Sequence, residues 1–270
     1  MSDPDAVRAF EHAGWEQAAE RYDASFATAT CQFAGPLLDA AGVVAGTRVL
    51  DIACGTGVVA AAASARGAEA RGLDFSPAML RAARTRQPAL AFDEGDAEAP
   101  PYPDGSFDAV VSNFGIHHVP RPLLALREAW RVLRYGRLVA FTVWAAPEEN
   151  VAWKLVFDAA RRCGDLAASQ APAPGGGFRT PDDCRTALQQ AGFGTIGTRH
   201  LSGVWRHADG GALLAALRSG TARMAALIQA QPEAAIPAII ADIEHHAAAY
   251  REGAGLAVPL AAWVAWGRRG

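Results

Sequence analysis

The sequence predicts an α/β fold in which helices cover both faces of a doubly wound, mostly parallel sheet of seven strands. Short apolar segments alternate with helical segments through much of the chain, which is the pattern of strand–helix–strand units. A turn with two glycines, Gly55-Thr56-Gly57, follows the first apolar segment and leads into an alanine-rich helix. In open sheets of this kind a ligand binds outside the carboxyl ends of the strands, so the turn also predicts the position of a site.

A helical segment precedes the first strand. Trp15, Tyr22 and Phe26 recur at helical spacing, and Gly42 ends the segment. Because residues 1–45 come before the sheet, we expect them to form a helical lid over the carboxyl edge of the strands. Most of the aromatic residues at this spacing are expected to pack in the core, and Tyr22 is a candidate to close over the site.

Residues 46–145 contain the expected ligand-binding core. Ser76-Pro77 marks a helix start, because serine is a preferred N-cap and proline is tolerated in the first helical turn. Gly67 ends the helix that follows the glycine turn. A further helix is expected over residues 122–134. The strands of this region are expected to end at Ile52 and to cover residues 68–74, 90–92, 107–113 and 137–144.

Residues 146–270 depart from simple strand–helix alternation. Two further strands are expected, over 195–205 and 256–266, and they complete the seven-stranded sheet. The segments 146–179 and 206–253 are predicted to be helical insertions. They are expected to cap the side of the site where a second ligand, the acceptor, would bind. The first contains a Pro- and Gly-rich hinge or loop over 171–177, and the second contains two alanine-rich helices that are broken near Gln231-Pro232.

The composition narrows the class of function. The chain has 270 residues, of which 51% are hydrophobic, and a formal net charge of -3. It is long enough to bury a large core, and its charge gives no long-range attraction to nucleic acid or to an anionic membrane. The N-terminus has no apolar leader segment, and no uncharged apolar run reaches membrane-spanning length. We therefore expect a cytoplasmic protein without nucleic-acid or membrane partners.

The cysteine and histidine residues do not form a recognisable metal or disulfide pattern. No pair among the four cysteines has C-x-x-C spacing, and His245-His246 are adjacent on a predicted helix, where their side chains diverge. We expect reduced thiols and no metal site.

Three acidic residues follow or end successive strands. Asp51 lies near the end of the first strand, Asp74 ends the second and Asp96 follows the third. Because consecutive parallel strands end side by side, we expect the three carboxylates to line one rim. An acid at the end of the second strand is placed to accept the ribose hydroxyls of a nucleoside cofactor. Asp96 could accept an adenine amine, with the amide of Ala97 next to a ring nitrogen.

The chain resembles the class I S-adenosylmethionine-dependent methyltransferases, in the small-molecule branch that is similar to the ubiquinone and menaquinone biosynthesis type. The resemblance covers about residues 10–145. It is carried by the segments Val49-Leu50-Asp51-Ile52-Ala53-Cys54-Gly55-Thr56-Gly57, Gly72-Leu73-Asp74-Phe75-Ser76-Pro77, Gly95-Asp96-Ala97-Glu98, Phe107-Asp108-Ala109-Val110-Val111-Ser112-Asn113 and Glu128-Ala129-Trp130-Arg131-Val132-Leu133. It implies a Rossmann-like fold and S-adenosyl-L-methionine as the cofactor.

The resemblance also implies roles for individual residues. Ala53, Gly55 and Gly57 would hold the methionine part of the cofactor, Asp74 its ribose, and Asp96 its adenine. The full expected cofactor-binding set is Tyr22, Asp51, Ala53, Gly55, Thr56, Gly57, Asp74, Phe75, Met79, Asp96, Ala97 and Asn113. One departure from the family pattern is Arg134-Tyr135-Gly136-Arg137, where a longer turn with Pro-Gly-Gly is usual, and we expect altered loop geometry there.

The expected reaction is transfer of a methyl group to a small, partly apolar acceptor, with O-, N- and C-methylation all open. Most of the candidates to wall the acceptor pocket are expected to be ordinary core residues, and the candidates are Trp144, Trp153, Phe157, Phe178, Trp205, Leu213, Leu217 and Met224. His117 and His118 follow the fourth strand and face the ligand rim, so either is a candidate base. His117 is slightly favoured on the acceptor side.

Two other functions fit parts of the sequence. The same fold could use S-adenosylmethionine in a non-methylating reaction. Gly55-x-Gly57-x-x-Ala60 also satisfies the fingerprint of an NAD(P)-dependent oxidoreductase. Asp51 at the end of the first strand and the lack of a Tyr-x-x-x-Lys motif count against the oxidoreductase.

Overall fold

The computed structural model describes residues 3–169, 171–172, 178 and 180–270. In these residues one sheet contains eight strands: β1 (Arg48–Ile52), β2 (Glu69–Asp74), β3 (Ala91–Glu94), β4 (Phe107–Asn113), β5 (Leu133–Trp144), β6 (Phe193–His207), β7 (Arg251–Glu252) and β8 (Gly255–Arg269). The eighth member of the sheet is the two-residue β7, which pairs only with β8.

The strand order is β3-β2-β1-β4-β5-β8-β6, and β1 to β5 are mutually parallel. β8 runs antiparallel to both β5 and β6. The prediction of a doubly wound, mostly parallel sheet is therefore confirmed. The chain reverses its direction of winding between β1 and β4, and this is the position at which open α/β sheets bind ligands.

Eleven α-helices occur in the described part of the chain: α1 (Pro4–Tyr22), α2 (Ala27–Thr30), α3 (Ala34–Ala40), α4 (Val58–Ala65), α5 (Pro77–Arg86), α6 (Pro122–Val132), α7 (Val151–Cys163), α8 (Pro181–Gln190), α9 (Gly210–Gly220), α10 (Ala222–Gln229) and α11 (Ile236–Ala247). The helix starts behave as the sequence predicts. The Ser76 hydroxyl accepts the Met79 N–H over 3.1 Å at the start of α5.

One prediction on local structure is wrong. Residues 210–252 hold three α-helices rather than two, because Thr221 adopts an extended conformation that ends α9 before α10 begins. Residues 134–137, where altered loop geometry is expected, lie within β5, and Gly136 has a φ of 76° there. The expected hinge over 171–177 falls largely on residues 173–177, which lie outside the described residues.

Helix α1 packs on α5. Ala18 and Ala19 of α1 contact Met79 of α5 in a small apolar cluster. The Glu16 carboxylate also accepts the Ser76 hydroxyl over 2.5 Å and the Ala78 N–H over 2.8 Å. These contacts hold α1 beside the carboxyl end of β2.

The other helices bury the two faces of the sheet. β4 is buried along its whole length except at Asn113, as expected for a central parallel strand. Among the residues with described structure, no single helix is long and apolar enough to cross a membrane. One pair, Ala222–Gln229 with Glu233–Tyr250, meets the length and composition only when joined across a 98° bend.

Candidate active site

A pocket of about 700 Å³, partly open to solvent, lies at the carboxyl ends of β1, β2 and β4. Most of the residues expected from the sequence line it, namely Tyr22, Ala53, Gly55, Asp74, Phe75, Met79, Asp96, Ala97, Asn113 and His118. Residues that the sequence pattern does not indicate also line it, among them Arg8, Trp15 and Phe114. Helix α1 therefore contributes more to the pocket than Tyr22 alone.

The turn after β1 has the backbone geometry that a close-fitting ligand requires. Gly55 has a φ of 54°, and a Cβ built on it would meet no atom within 4 Å, so the space above this residue is open. Ala53 and Phe114 also have positive φ, at 52° and 55°. Non-glycine residues in this region cost conformational energy and tend to occur at functional sites. Both of these line the pocket.

Gly57 serves the packing beneath the turn. Its φ is 81°, and a Cβ at this position would lie 2.7 Å from the ring of Phe92. Gly57 is not part of the pocket lining. A side chain here would be excluded by the core rather than by a ligand.

Asp74 joins the end of β2 to the glycine turn. One carboxylate oxygen accepts the Gly55 N–H over 2.8 Å, and the other accepts the Ser76 N–H over 2.9 Å. Burial raises the pKa of Asp74 to about 6, although these two N–H groups lower it in part. Each oxygen can accept a further hydrogen bond, and the residue lines the pocket.

Asp51 does not share this rim, which corrects the expectation of three aligned carboxylates. It is 1% exposed, lies within β1 rather than after it, and accepts the Ala60 N–H of α4 over 3.2 Å. Burial raises the pKa of Asp51 to about 8 against the effect of that N–H, and the charge of Asp74 adds to the rise. Asp51 therefore stabilises the start of α4, and two carboxylates rather than three line the pocket.

Thr56 also lies outside the pocket lining. Its hydroxyl donates to the Asp23 carboxylate over 2.6 Å. Asp23 is the residue that follows α1, and it pairs with Arg86 of α5. Thr56 thus connects the glycine turn to the end of α1.

Asp96 is held by two neighbours. Its Oδ1 accepts the Glu98 N–H over 2.9 Å, and its Oδ2 pairs with the guanidinium of Arg8. Arg8 also contacts the Glu98 carboxylate over 2.9 Å, and Glu98 in turn pairs with Arg121. Arg8 and Asp96 are 88 residues apart in the chain, so no local sequence pattern indicates that they are in contact.

Tyr22 and Asn113 meet at Thr30. The Tyr22 hydroxyl lies 3.2 Å from the Thr30 hydroxyl, and the Asn113 amide donates to the Thr30 carbonyl over 3.1 Å. Asn113 also accepts the Thr142 hydroxyl over 2.7 Å. Burial raises the pKa of Tyr22 to about 12, so its phenol stays protonated. The N-terminal segment is thereby tied to the end of β4.

The two histidines differ in their surroundings. His118 lines the pocket, and its Nδ1 lies 3.0 Å from the Glu11 carboxylate. His117 is outside the lining. Burial, together with the nearby His118 and Arg223, lowers the pKa of His117 well below its ordinary value. The structure thus places His118 rather than His117 beside the pocket.

The residues expected to wall the acceptor side do not line this pocket. Six of them belong to the apolar core around α7, α9 and α10: Trp144, Trp153, Trp205, Leu213, Leu217 and Met224. Phe178 packs on a different core cluster, and Phe157 is 37% exposed. Trp144 reaches the site only indirectly, because its ring stacks on Phe114 with 3.8 Å between the centroids.

Comparison with known proteins agrees with this geometry. A family model described as a methyltransferase domain matches residues 50–141. A demethylmenaquinone methyltransferase from Deinococcus radiodurans is 33% identical over 177 residues, which cover 58% of this chain and 73% of that protein. The chain belongs to the S-adenosylmethionine-dependent methyltransferase family.

Other methyltransferase relatives match over a shorter length. A demethylmenaquinone methyltransferase from Renibacterium salmoninarum is 40% identical over 111 residues, which cover 41% of this chain and 47% of that protein. This chain thus spans less than half the length of that relative. The YcgJ protein of Bacillus subtilis has the same fold, with a TM-score of 0.59 at 20% identity over 88% of this chain and 98% of that one.

Proposed function

We propose that this protein binds S-adenosylmethionine in the pocket between β1, β2 and β4 and transfers its methyl group to a small, partly apolar acceptor. The observation that carries the proposal is the position of Asp74. Its buried carboxylate lines the pocket, holds the glycine turn, and keeps acceptor capacity for the hydroxyls of a ribose.

The other pocket residues fit the remaining parts of this cofactor. The open space above Gly55 gives room for an amino-acid tail against the backbone of the turn. Phe75 and Met79 offer apolar surface beside Asp74, where an adenine ring would pack. Asp96 and the amide of Ala97 lie further along the same wall, where the polar edge of that ring would be recognised.

The bound cofactor supplies a methyl group that is already activated on a sulfonium. What remains for the protein is to hold the nucleophilic atom in line at about 3–3.5 Å and to keep water out. The lid helix α1 supplies Trp15 and Tyr22 to this enclosure, and Phe114 supplies the opposite apolar surface. Positioning of this kind can provide much of the rate enhancement.

An acceptor that must lose a proton also needs a base. His118 is the histidine beside the pocket, whereas His117 is buried with a lowered pKa. We therefore assign the role of base to His118. The name demethylmenaquinone methyltransferase, carried by several relatives, supports a planar ring compound as the acceptor. The aromatic side chains of Trp15, Tyr22 and Phe114 suit such a ring.

The proposal is tested with radiolabelled S-adenosylmethionine and a panel of acceptors: reduced 1,4-naphthoquinone, catechol and ethanolamine. We expect enzyme-dependent transfer of label to at least one of the hydroxylated rings, together with formation of S-adenosylhomocysteine. Cofactor binding without label transfer to either ring would contradict the proposed acceptor class.

A further inference from the structure

A buried carboxylate lies behind His118. Glu11 of the lid helix α1 is 0% exposed, and it is surrounded by polar groups from three parts of the chain. Trp15 belongs to the same helix, His118 to the turn after β4, and Arg223 to α10. Glu11 and Arg223 are not part of the pocket lining and have no role in the cofactor site described above.

The contacts of Glu11 are short and divided between its two oxygens. Oε2 accepts the Trp15 indole N–H over 3.0 Å and lies 3.0 Å from Nδ1 of His118. Oε1 lies 2.7 Å from Nε of Arg223. Burying an unpaired carboxylate costs free energy. The groups around Glu11 offset this cost, which explains how a charged side chain is tolerated there.

Glu11 remains ionised in this environment. Burial raises the pKa of its carboxyl group, but the charges and hydrogen bonds of His118 and Arg223 outweigh that effect and lower it overall. The anion therefore lies against His118 throughout the neutral pH range.

This arrangement determines which nitrogen of His118 is available. The Glu11 carboxylate, 3.0 Å from Nδ1, favours a proton on that nitrogen, which leaves Nε2 as the acceptor nitrogen of the neutral ring. The edge-to-face contact with Trp15, at 5.0 Å between centroids and 85° between ring planes, further restrains the ring. A carboxylate that accepts from the far nitrogen of the ring is a recurrent means of orienting a histidine base.

We propose that Glu11 is a positioning residue that holds His118 as a base for an acceptor whose nucleophilic atom carries, or is conjugated to, an ionisable hydroxyl group. This inference rests on the proposed methyl transfer. Because Glu11 lies on α1, the base is oriented only when the lid helix is seated on the pocket.

The step balances without any further reactant. The acceptor hydroxyl gives its proton to Nε2 of His118, and the electron pair left on oxygen, or on the ring carbon conjugated to it, forms the new bond to the methyl carbon. The bond from that carbon to sulfur breaks, and its electron pair stays on sulfur as a neutral thioether. When the new bond forms to a ring carbon, that ring carbon then loses its hydrogen to solvent as a proton and the oxygen takes up a proton, which restores the aromatic ring. The imidazolium is balanced by Glu11 until its proton passes to solvent.

The charged groups around His118 act in opposite directions. Glu11 favours the imidazolium, whereas Arg223 opposes it by pairing with the same carboxylate. His117 lies 4.2 Å away between ring centroids, and its lowered pKa keeps it neutral. Across the pocket, Arg8 and Asp96 neutralise each other as an ion pair. Removing Glu11 or Arg223 should therefore move the titration of His118 in opposite directions, which loss of a purely structural contact would not do.

The test is a proton-titration measurement by NMR on protein with isotope-labelled histidine, with the His118 signal assigned through His118→Asn. We expect Glu11→Gln to move the midpoint of the His118 signal to lower pH, and Arg223→Met to move it to higher pH. Glu20→Gln, an exposed carboxylate on the same helix, is the charge control and should leave the midpoint unchanged.

A Glu11→Gln midpoint at or above the wild-type value would overturn the proposal, as would shifts of the same sign in both variants. Where Glu11→Gln does not fold because Arg223 is left unpaired, the double variant Glu11→Gln with Arg223→Met removes both charges. Its midpoint is then compared with that of Arg223→Met, and it must be the lower of the two. Calorimetry of wild-type protein with S-adenosylhomocysteine separates the two claims, because lack of binding there contradicts the proposed function and not the Glu11–His118 pair.

Discussion

Gly55 donates its backbone N–H to the carboxylate of Asp74 over 2.8 Å, and this bond joins the turn after β1 to the end of β2. The two strands are paired in register up to Ile52 and Leu73, so the bond continues their alignment beyond the sheet. It places a carboxylate and an open glycine surface side by side. The proposed cofactor site depends on this pair.

Replacement of Asp74 by asparagine should weaken cofactor binding strongly. Asparagine presents an amide NH2 group to one of the two backbone N–H donors, and it removes the charge that would accept ribose hydroxyls. Hydrogen bonds to charged groups contribute about 1.5–3 kcal/mol, so we expect a loss of about tenfold to a hundredfold in affinity for S-adenosylhomocysteine by calorimetry. Asp93→Asn is the matched control, because Asp93 lies on the adjacent strand but pairs with Arg71 outside the pocket. Equal losses in both variants would count against the assignment.

Replacement of Gly55 by alanine has two effects that can be measured separately. It strains the backbone, and it puts a methyl group where the cofactor is proposed to bind. Gly55 and Gly46 both have positive φ, and a Cβ on either would meet no atom within 4 Å. We expect both alanine variants to lose about 1–2 kcal/mol of unfolding free energy in urea. Only Gly55→Ala should also abolish binding of S-adenosylhomocysteine, because only its methyl group enters the pocket. Normal binding by Gly55→Ala would show that the cofactor lies elsewhere.

The buried Asp51 should make stability depend on pH. Its folded pKa of about 8 is above the ordinary aspartate value of 3.8, so the folded state binds more protons than the unfolded state between these values. Stability from this group is therefore fully present at low pH and is lost as pH rises towards 8.

Asparagine at position 51 resembles the protonated acid and removes this dependence. Relative to wild type, Asp51→Asn should gain at least about 1 kcal/mol of unfolding free energy on going from pH 5 to pH 8, as measured by urea denaturation at each pH. Using the difference between the two proteins cancels the contributions of other titrating groups. A constant difference across this range would contradict the raised pKa.

The two histidines should respond differently to substitution. His118→Asn removes the proposed base, and we expect the rate of methyl transfer to fall about a hundredfold with much less change in cofactor affinity. His117→Asn alters a buried neutral ring and should mainly lower the melting temperature. A larger rate loss in His117→Asn than in His118→Asn, at a temperature where both variants are folded, would reverse the assignment.

The framework of the fold and the cofactor side of the site follow from local sequence patterns. β4 covers the residues that its apolar run predicts, and the glycine turn lies at the end of β1, because both features depend on short-range constraints. Asp74 could be placed because it is the last residue of its strand. The position of the Asp51 side chain could not be predicted, because an acid one residue from the end of β1 can reach either a ligand or the next helix. In the structure it accepts an N–H group of α4.

The rest of the site depends on contacts between segments that are distant in sequence. Arg8 meets Asp96, and Glu11 meets His118 and Arg223, only after α1 and α10 have packed beside the sheet. No spacing rule links these residues. Trp15 is likewise one of several aromatic residues at helical spacing, and only the packed structure shows that this one lines the pocket.

Calorimetric titration of S-adenosylmethionine into the wild-type protein near neutral pH decides whether the pocket binds this cofactor. We expect saturable binding at one site with a dissociation constant in the micromolar range, and no binding of NADH under the same conditions. Absence of heat with S-adenosylmethionine, together with saturable binding of NADH, would contradict it.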